Sequence, residues 1–312
     1  LCESPDQYRI VAVGADWTSN ENLLGYTDAL QPGQYRAPVN GVLELLLRAQ
    51  ADKAQKPYFL ILDEMNLSHV ERYFADFLSA MESDNAPLSL HGAPAGLTID
   101  GASSITVPDK LPLPPNLFII GTVNVDETTY LFSPKVLDRV NVIEFRATAA
   151  QMAAFLDNPT GINLKALEAQ GVPFATAFVQ RALAHADIAE LTDEAGNPLA
   201  LQFKSDLIAA YEALAKADAE FGFRTAKEMA RFMVIHRELS GTGWVYKDAL
   251  DAQVLQKLMP KLHGSARKLD GVLKALAEFA AATHRDLPLT REKIERMQAR
   301  LVRDGFTSFA EA

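Results

Sequence analysis

The chain has 312 residues, 48% of them hydrophobic, with a net charge of −10 and a single cysteine, Cys2. That much apolar material supports two domains with real cores and excludes a disordered polymer. No apolar run reaches the roughly 18 residues of a membrane span, and one cysteine excludes an internal disulfide framework, so no membrane and a reducing, cytoplasmic setting are expected.

Residues 1–150 hold ten Lys and Arg against nineteen Asp and Glu, a balance of −9, which leaves −1 for the remainder. Neither half is strongly basic. Any DNA contact is therefore expected from a pore loop, a partner or a segment outside this chain, such as an N-terminal domain. No secretory leader pattern opens the chain, and its start at Leu1 reads as an internal fragment or a processed product.

Tyr8–Val13 reads as a short strand, followed by a polar, glycine-dotted connection over 14–35. Val39–Ala54 carries Val42, Leu43, Leu46 and Leu47 at helical spacing, with Asn40 as its cap. Tyr58-Phe-Leu-Ile-Leu62 is an unbroken apolar run, too short for a helix, and fits a strand buried on both faces of a parallel sheet. Asp63 and Glu64 follow it at once. Glu71–Met81 reads as a helix, and the proline- and glycine-rich stretch 85–115 as an excursion with one or two hairpins. Asn116–Val123 is a second buried strand ending in Asn124, Ser133–Arg139 a short helix, and Asn141–Phe145 a last strand. The alternation of strand and helix is the rhythm of a parallel α/β sheet.

Beyond Arg146 the β signal fades. Helices are expected over 148–157, 174–191, 201–219, 225–238, 248–262, 269–283 and 290–304, with a turn at 193–198. The change of texture places a domain boundary near 147, giving an α/β domain over 1–147 and an all-α domain over 148–312.

The C-terminal end of a parallel strand is where open α/β sheets place ligands. Two acids there are costly to desolvate unless a cation or water answers them, although a strand that simply meets solvent ends the same way. Asn124, at the end of the other strand, can hold a water or a phosphoryl oxygen without adding charge, or can serve as a turn former. Arg139 follows a short helix, where an arginine can stabilise a phosphoryl group in flight or form a surface ion pair. Arg224 stands in the first turn of a helix, against the macrodipole, and can reach an anion or lie solvated.

In that order, FLILDE at 59–64, GTVN at 121–124, SPKVLDR at 133–139 and GFR at 222–224 resemble the Walker B, sensor 1, arginine-finger and sensor 2 motifs of an AAA+ NTPase. Asp16-Trp17-Thr18, Leu24-Gly25-Tyr26, Asp63-Glu64-Met65-Asn66-Leu67 and the tail from Leu289 through Phe309 resemble the McrB-type, dynein-related branch. The resemblance implies the sheet of an AAA+ core, incomplete at its N-terminus, followed by a helical lid. It implies that Asp63 supports Mg²⁺, Glu64 polarises the lytic water and Asn124 positions water or the γ-phosphate of ATP or GTP. Arg139 would reach the nucleotide of the adjacent subunit, and Arg224 the bound nucleotide from the lid. It further implies a homo-hexameric ring and a McrC-like nuclease partner in restriction of modified DNA. A MoxR- or dynein-like protein remodeller and a non-hydrolysing scaffold subunit are the alternatives.

The chain departs from the family in one main respect. It contains no Gly-Lys dipeptide, and so no phosphate loop of the G-x-x-x-x-G-K-[ST] type. The family places that loop before the Tyr8–Val13 strand. Truncation is the expectation, against a subunit that does not hold nucleotide alone. After sensor 1 the chain reads Asn124-Val-Asp126-Glu127-Thr-Thr rather than Asn-Thr-Ala-Asp, which leaves ATP and GTP both open. The six histidines have no paired metal spacing, so no metal beyond Mg²⁺ is expected. The 85–115 excursion reads as a surface insertion or a pore-facing hairpin.

Overall fold

The computed structural model describes residues 1–53, 55–82, 86–93, 96–99, 102–125, 130–159, 161, 163–216 and 218–312. It is a mixed α/β chain with a small parallel sheet and many helices. Contacts divide it into two compact units, one of residues 1–136 with 147–184, the other of 137–146 with 185–312. The single boundary expected near 147 is thus replaced by an interleaved division.

In the first unit, strands β1 (Tyr8–Ala12), β2 (Tyr58–Asp63) and β3 (Leu117–Gly121) form a parallel sheet with β2 in the middle. Helix α1 (Val42–Ala51) packs across β1 and β2 and buries Val42, Leu43, Leu45 and Leu46 completely. Each such leucine contributes roughly 1.5–3 kcal/mol by leaving water. The cap of α1 is Gly41, at φ 71°, rather than Asn40 as expected; the Asn40 side-chain oxygen still accepts from the Val42 N–H at 3.2 Å. The helix expected over 71–81 is broken at Phe74 into Val70–Tyr73 and α2 (Ala75–Glu82).

The sheet is not buried on both faces as the apolar run suggested. Tyr58, Leu60 and Leu62 are buried, whereas Phe59 and Ile61 on the opposite face are only partly so. The Phe178 ring, from α4 (Ala175–Leu183), covers part of that second face, with ring centroids 6.2 Å from Phe59 and 4.6 Å from Phe118. The row Ile10, Ile61, Ile120, aligned by strand register, keeps Ile10 64% and Ile120 46% exposed. Between α4 and the sheet in sequence, α3 (Ala149–Asp157) starts on a Thr148–Gln151 capping box.

The connection expected over 14–35 contains strands. Tyr26–Thr27 pairs with Gln34–Arg36, which pairs in turn with Leu97–Ile99 and then Ala102–Val107. Gly25 makes this possible, with φ 85° and a position where a Cβ would lie 2.1 Å from the Arg36 carbonyl oxygen. The 85–115 excursion does form hairpin pairings, Leu97–Ile99 with Ala102–Val107 and Leu88–Ser89 with Lys110–Leu111.

The second unit is built from α5 (Ala200–Ala215), α6 (Phe223–Ser240), α7 (Tyr246–Gln253), α8 (Ala266–Ala281) and α9 (Pro288–Asp304) around one apolar core that includes Met229, Met233, Leu250, Leu273 and Met297. Helix α9 begins on Pro288, and the carboxylate of Asp251 accepts from the Leu289 and Thr290 N–H groups at 2.7 and 2.8 Å, satisfying the positive helix end. Helix α7 runs on into a π turn, Val254–Leu258.

Asn141–Phe145 is not a strand. Its polar groups are taken by the helical unit: the Val142 N–H donates to the Gln256 carbonyl at 2.9 Å, and Lys257 Nζ donates to the Val140 carbonyl at 3.1 Å. Lys293 and Arg296 bind Glu144 at 3.0 and 3.2 Å, and Lys261 pairs with Asp138. Val142 packs against the core of the helical unit, and the Glu144 carboxylate is held by helical side chains. Ile143 and Phe145 face outward, 62% and 95% exposed.

Candidate active site

Strand register places Leu62 beside Gly121. The ladder extends one step beyond: the Thr122 N–H donates to the Leu62 carbonyl at 2.9 Å, and the Met65 N–H donates to the Thr122 carbonyl at 2.8 Å. On the other side the Val13 N–H donates to the Asp63 carbonyl at 3.0 Å. The acidic pair is therefore gripped from both neighbouring strands at the C-terminal mouth of the sheet.

Glu64 turns the chain. It adopts φ 54° and ψ 48°, a left-handed conformation that costs a non-glycine residue about 1–3 kcal/mol. Two contacts hold it there. Its N–H donates to Thr122 Oγ1 at 2.9 Å, and its Oε1 accepts from Asn124 Nδ2 at 2.8 Å. Thr122 Oγ1 in turn donates to Asp63 Oδ1 at 2.6 Å. Asp63, Glu64 and Asn124, singled out from sequence, thus come together, and Thr122 joins them.

The surrounding residues stiffen this arrangement. A Cβ on Gly121 would sit 2.5 Å from Met65 Sδ, so the glycine lets the Met65–Leu67 turn lie against the strand end. Asn66 is buried; its Nδ2 donates to the Asn124 carbonyl at 2.8 Å, and its own carbonyl accepts from the Tyr130 N–H at 3.0 Å. It therefore fixes positions 124 and 130, while 126–129 of the Asn124-Val-Asp-Glu-Thr-Thr stretch lie outside the described residues. The Tyr73 hydroxyl donates to the Met65 carbonyl at 2.8 Å, and burial, followed by the nearby Glu71 charge, pushes its ionisation far up. Trp17 sets its ring edge-on to Tyr73 at 5.4 Å, and its carbonyl accepts from Ser68 Oγ at 2.6 Å.

Glu71 accepts from the Ser133 N–H at 3.1 Å, at the start of the one-turn helix Pro134–Leu137. Burial, the largest single influence, raises the Glu71 carboxyl, but hydrogen bonding at Ser133 and at its own backbone, with the nearby His69, together outweigh it, and the group ends below the ordinary glutamate value.

Arg139 and Arg224 belong to the helical unit. Arg139 lies on the 137–146 strap, between Asp138, paired with Lys261, and Val140, bound by Lys257. Arg224 occupies the first turn of α6, which begins at Gly222 with no side-chain cap and no acidic residue in that turn. Guanidinium and positive helix end thus coincide.

Thr122, Asn66 and Glu71 carry much of this geometry and were not singled out from sequence. The one available signal was their place inside or beside the quoted motifs.

A hard cation fits Asp63 in a limited way. Thr122 occupies Oδ1, and Oδ2 of this exposed residue is left for it. Among the described residues no three His, Cys, Asp or Glu side chains form a metal cage. A cation here would take one protein oxygen and complete its shell with water and phosphate, the habit of Mg²⁺ rather than Zn²⁺.

A family described as "Domain of unknown function (DUF8727)" matches residues 177–306, a stretch that falls mainly in the helical unit and covers less than half of the chain. No curated protein matches the chain. Among the described residues no helix is long and apolar enough to cross a membrane.

Proposed function

We propose that this chain is the greater part of an AAA+ NTPase module of the McrB type, a cytoplasmic motor subunit that couples Mg²⁺-dependent hydrolysis of ATP or GTP to movement of a partner. The observation that carries the reading is the junction of Asp63, Glu64 and Asn124 at the mouth of adjacent parallel strands. Asp63 keeps one oxygen for Mg²⁺, which when bound neutralises charge on the triphosphate. Glu64 orients and polarises the attacking water, and Asn124 holds that water or a γ-phosphate oxygen. Arg139 serves the nucleotide of the adjacent subunit in a homo-hexameric ring, and Arg224 serves the nucleotide of its own. The acidic balance of residues 1–150 argues against this domain as the main DNA-binding surface and leaves that role to a pore loop, a segment outside this chain or a partner, for which the family resemblance suggests a McrC-like nuclease.

The test is Glu64→Gln in the full-length protein. Turnover should fall by about 100-fold or more while nucleotide affinity stays close to wild type. Unchanged turnover in that variant ends the assignment. Absence of both binding and turnover in the wild type favours the scaffold alternative. Stimulation by a protein substrate but not by DNA or a nuclease favours the remodelling one.

A further inference from the structure

Among the described residues, the Thr122 side chain touches both members of the acidic pair, the Asp63 carboxylate and the Glu64 backbone. Its hydroxyl has a single proton, and the 2.6 Å contact with Asp63 Oδ1 uses it, because an ionised carboxylate can only accept. The same oxygen then has a lone pair for the Glu64 N–H at 2.9 Å. The proton and one of the two lone pairs are thus engaged, which fixes the hydroxyl rotor.

Each bond has a separate effect. The first leaves Asp63 with one fixed orientation and one remaining oxygen. The second ties the amide of a residue whose φ of 54° is otherwise disfavoured, and that backbone setting directs the Glu64 carboxylate to Asn124. Thr122 reaches both because its backbone continues the β2–β3 ladder through the Leu62 and Met65 bonds, which fixes its Cα against β2. A β-branched side chain with restricted χ1 holds the hydroxyl more firmly than serine would.

We infer that Thr122 is the positioning residue of this site: through one hydroxyl it sets the free oxygen of Asp63 and the left-handed backbone of Glu64 together. The inference rests on the hydrolase reading above only for its kinetic consequence; the latch itself is a structural relationship.

Two variants test it in the full chain. Thr122→Val keeps shape and removes the hydroxyl, and Thr122→Ser keeps the hydroxyl. Thr122→Val should lower kcat by about 10–100-fold, the usual effect of losing a group that orients a reacting side chain, with KM for nucleotide little changed. Thr122→Ser should restore most of the loss. Wild-type kcat in Thr122→Val, or a serine variant as impaired as the valine one, overturns the inference. Amide exchange at Glu64 needs no turnover: it should be slow in the wild type and in Thr122→Ser, and faster in Thr122→Val with circular dichroism unchanged. Equal exchange rates overturn the latch. A protein that hydrolyses nothing yet shows this exchange pattern refutes the hydrolase reading and leaves the latch standing.

Discussion

Lys293 Nζ lies 3.0 Å from Glu144 Oε2 and 2.8 Å from the Ala312 carbonyl, with its side chain 1% exposed and its ammonium 4.2 Å above the Phe309 ring. Glu144 belongs to the 137–146 strap, so this ion pair fastens an extended segment to helix α9. Lys293 is buried while Glu144 is partly exposed, and the lysine keeps the Ala312 carbonyl when the carboxylate is removed. Glu144→Ala is therefore expected to destabilise the helical unit by roughly 2 kcal/mol. Urea unfolding followed by circular dichroism measures it, and a loss below about 1 kcal/mol contradicts the role given to the pair.

The same lysine makes stability depend on alkaline pH. Burial lowers its ionisation below the ordinary 10.5, and the bond to Glu144 only partly opposes this. The unfolded lysine holds its proton up to 10.5, whereas the folded one releases it earlier, so unfolding takes up a proton within that interval. The contribution of this group to stability therefore rises with pH as 10.5 is approached from below. The unfolding midpoint of wild type relative to Lys293→Met should climb over that interval; a flat difference excludes the effect.

Glu71 titrates in the opposite range. Its carboxyl lies below 4.5 in the fold, so its contribution is complete above 4.5 and is lost as pH falls through the folded value. Glu71→Gln should weaken the first unit by about 1 kcal/mol at neutral pH. The difference from wild type should vanish in acid, read from paired urea melts. A difference that persists at low pH assigns the contact to packing.

Glu64 carries strain that a glycine would not. Glu64→Gly should stabilise the first unit by about 1 kcal/mol, because glycine accepts φ 54° freely, even though the bond to Asn124 is lost. Thermal unfolding decides this. A destabilised variant shows that the left-handed turn is not a stored cost.

Residue chemistry revealed the parts of this molecule that depend on local pattern. An unbroken apolar run followed by two acids located β2 and its C-terminal mouth, and the helical periods after 146 located most of the helices, although the one expected over 174–191 stops at Leu183 and the one expected over 248–262 leaves the α-helix after Gln253. What escaped depended on partners distant in sequence. Thr122 reads as an ordinary strand former, because nothing in GTVN tells which atom 59 residues away its hydroxyl meets. The left-handed turn at Glu64 is a single-residue event with no glycine to mark it. Asn141–Phe145 has the β-branched and aromatic content of a strand, and that content does not tell whether a neighbouring strand or a helix receives its backbone groups. The uncovered Ile10–Ile61–Ile120 row shows the same limit from the other side, since apolar content does not tell which face is covered.

The chain passes from one unit to the other three times, after Val136, Arg146 and Ala184. A protease that nicks one exposed loop therefore cannot release either body whole. Ending the polypeptide at 147 would strip Phe178 from the Phe59 and Phe118 rings and leave Glu144 without Lys293. Dissecting this protein into halves calls for excising or grafting the 137–146 strap, rather than for choosing a place to stop.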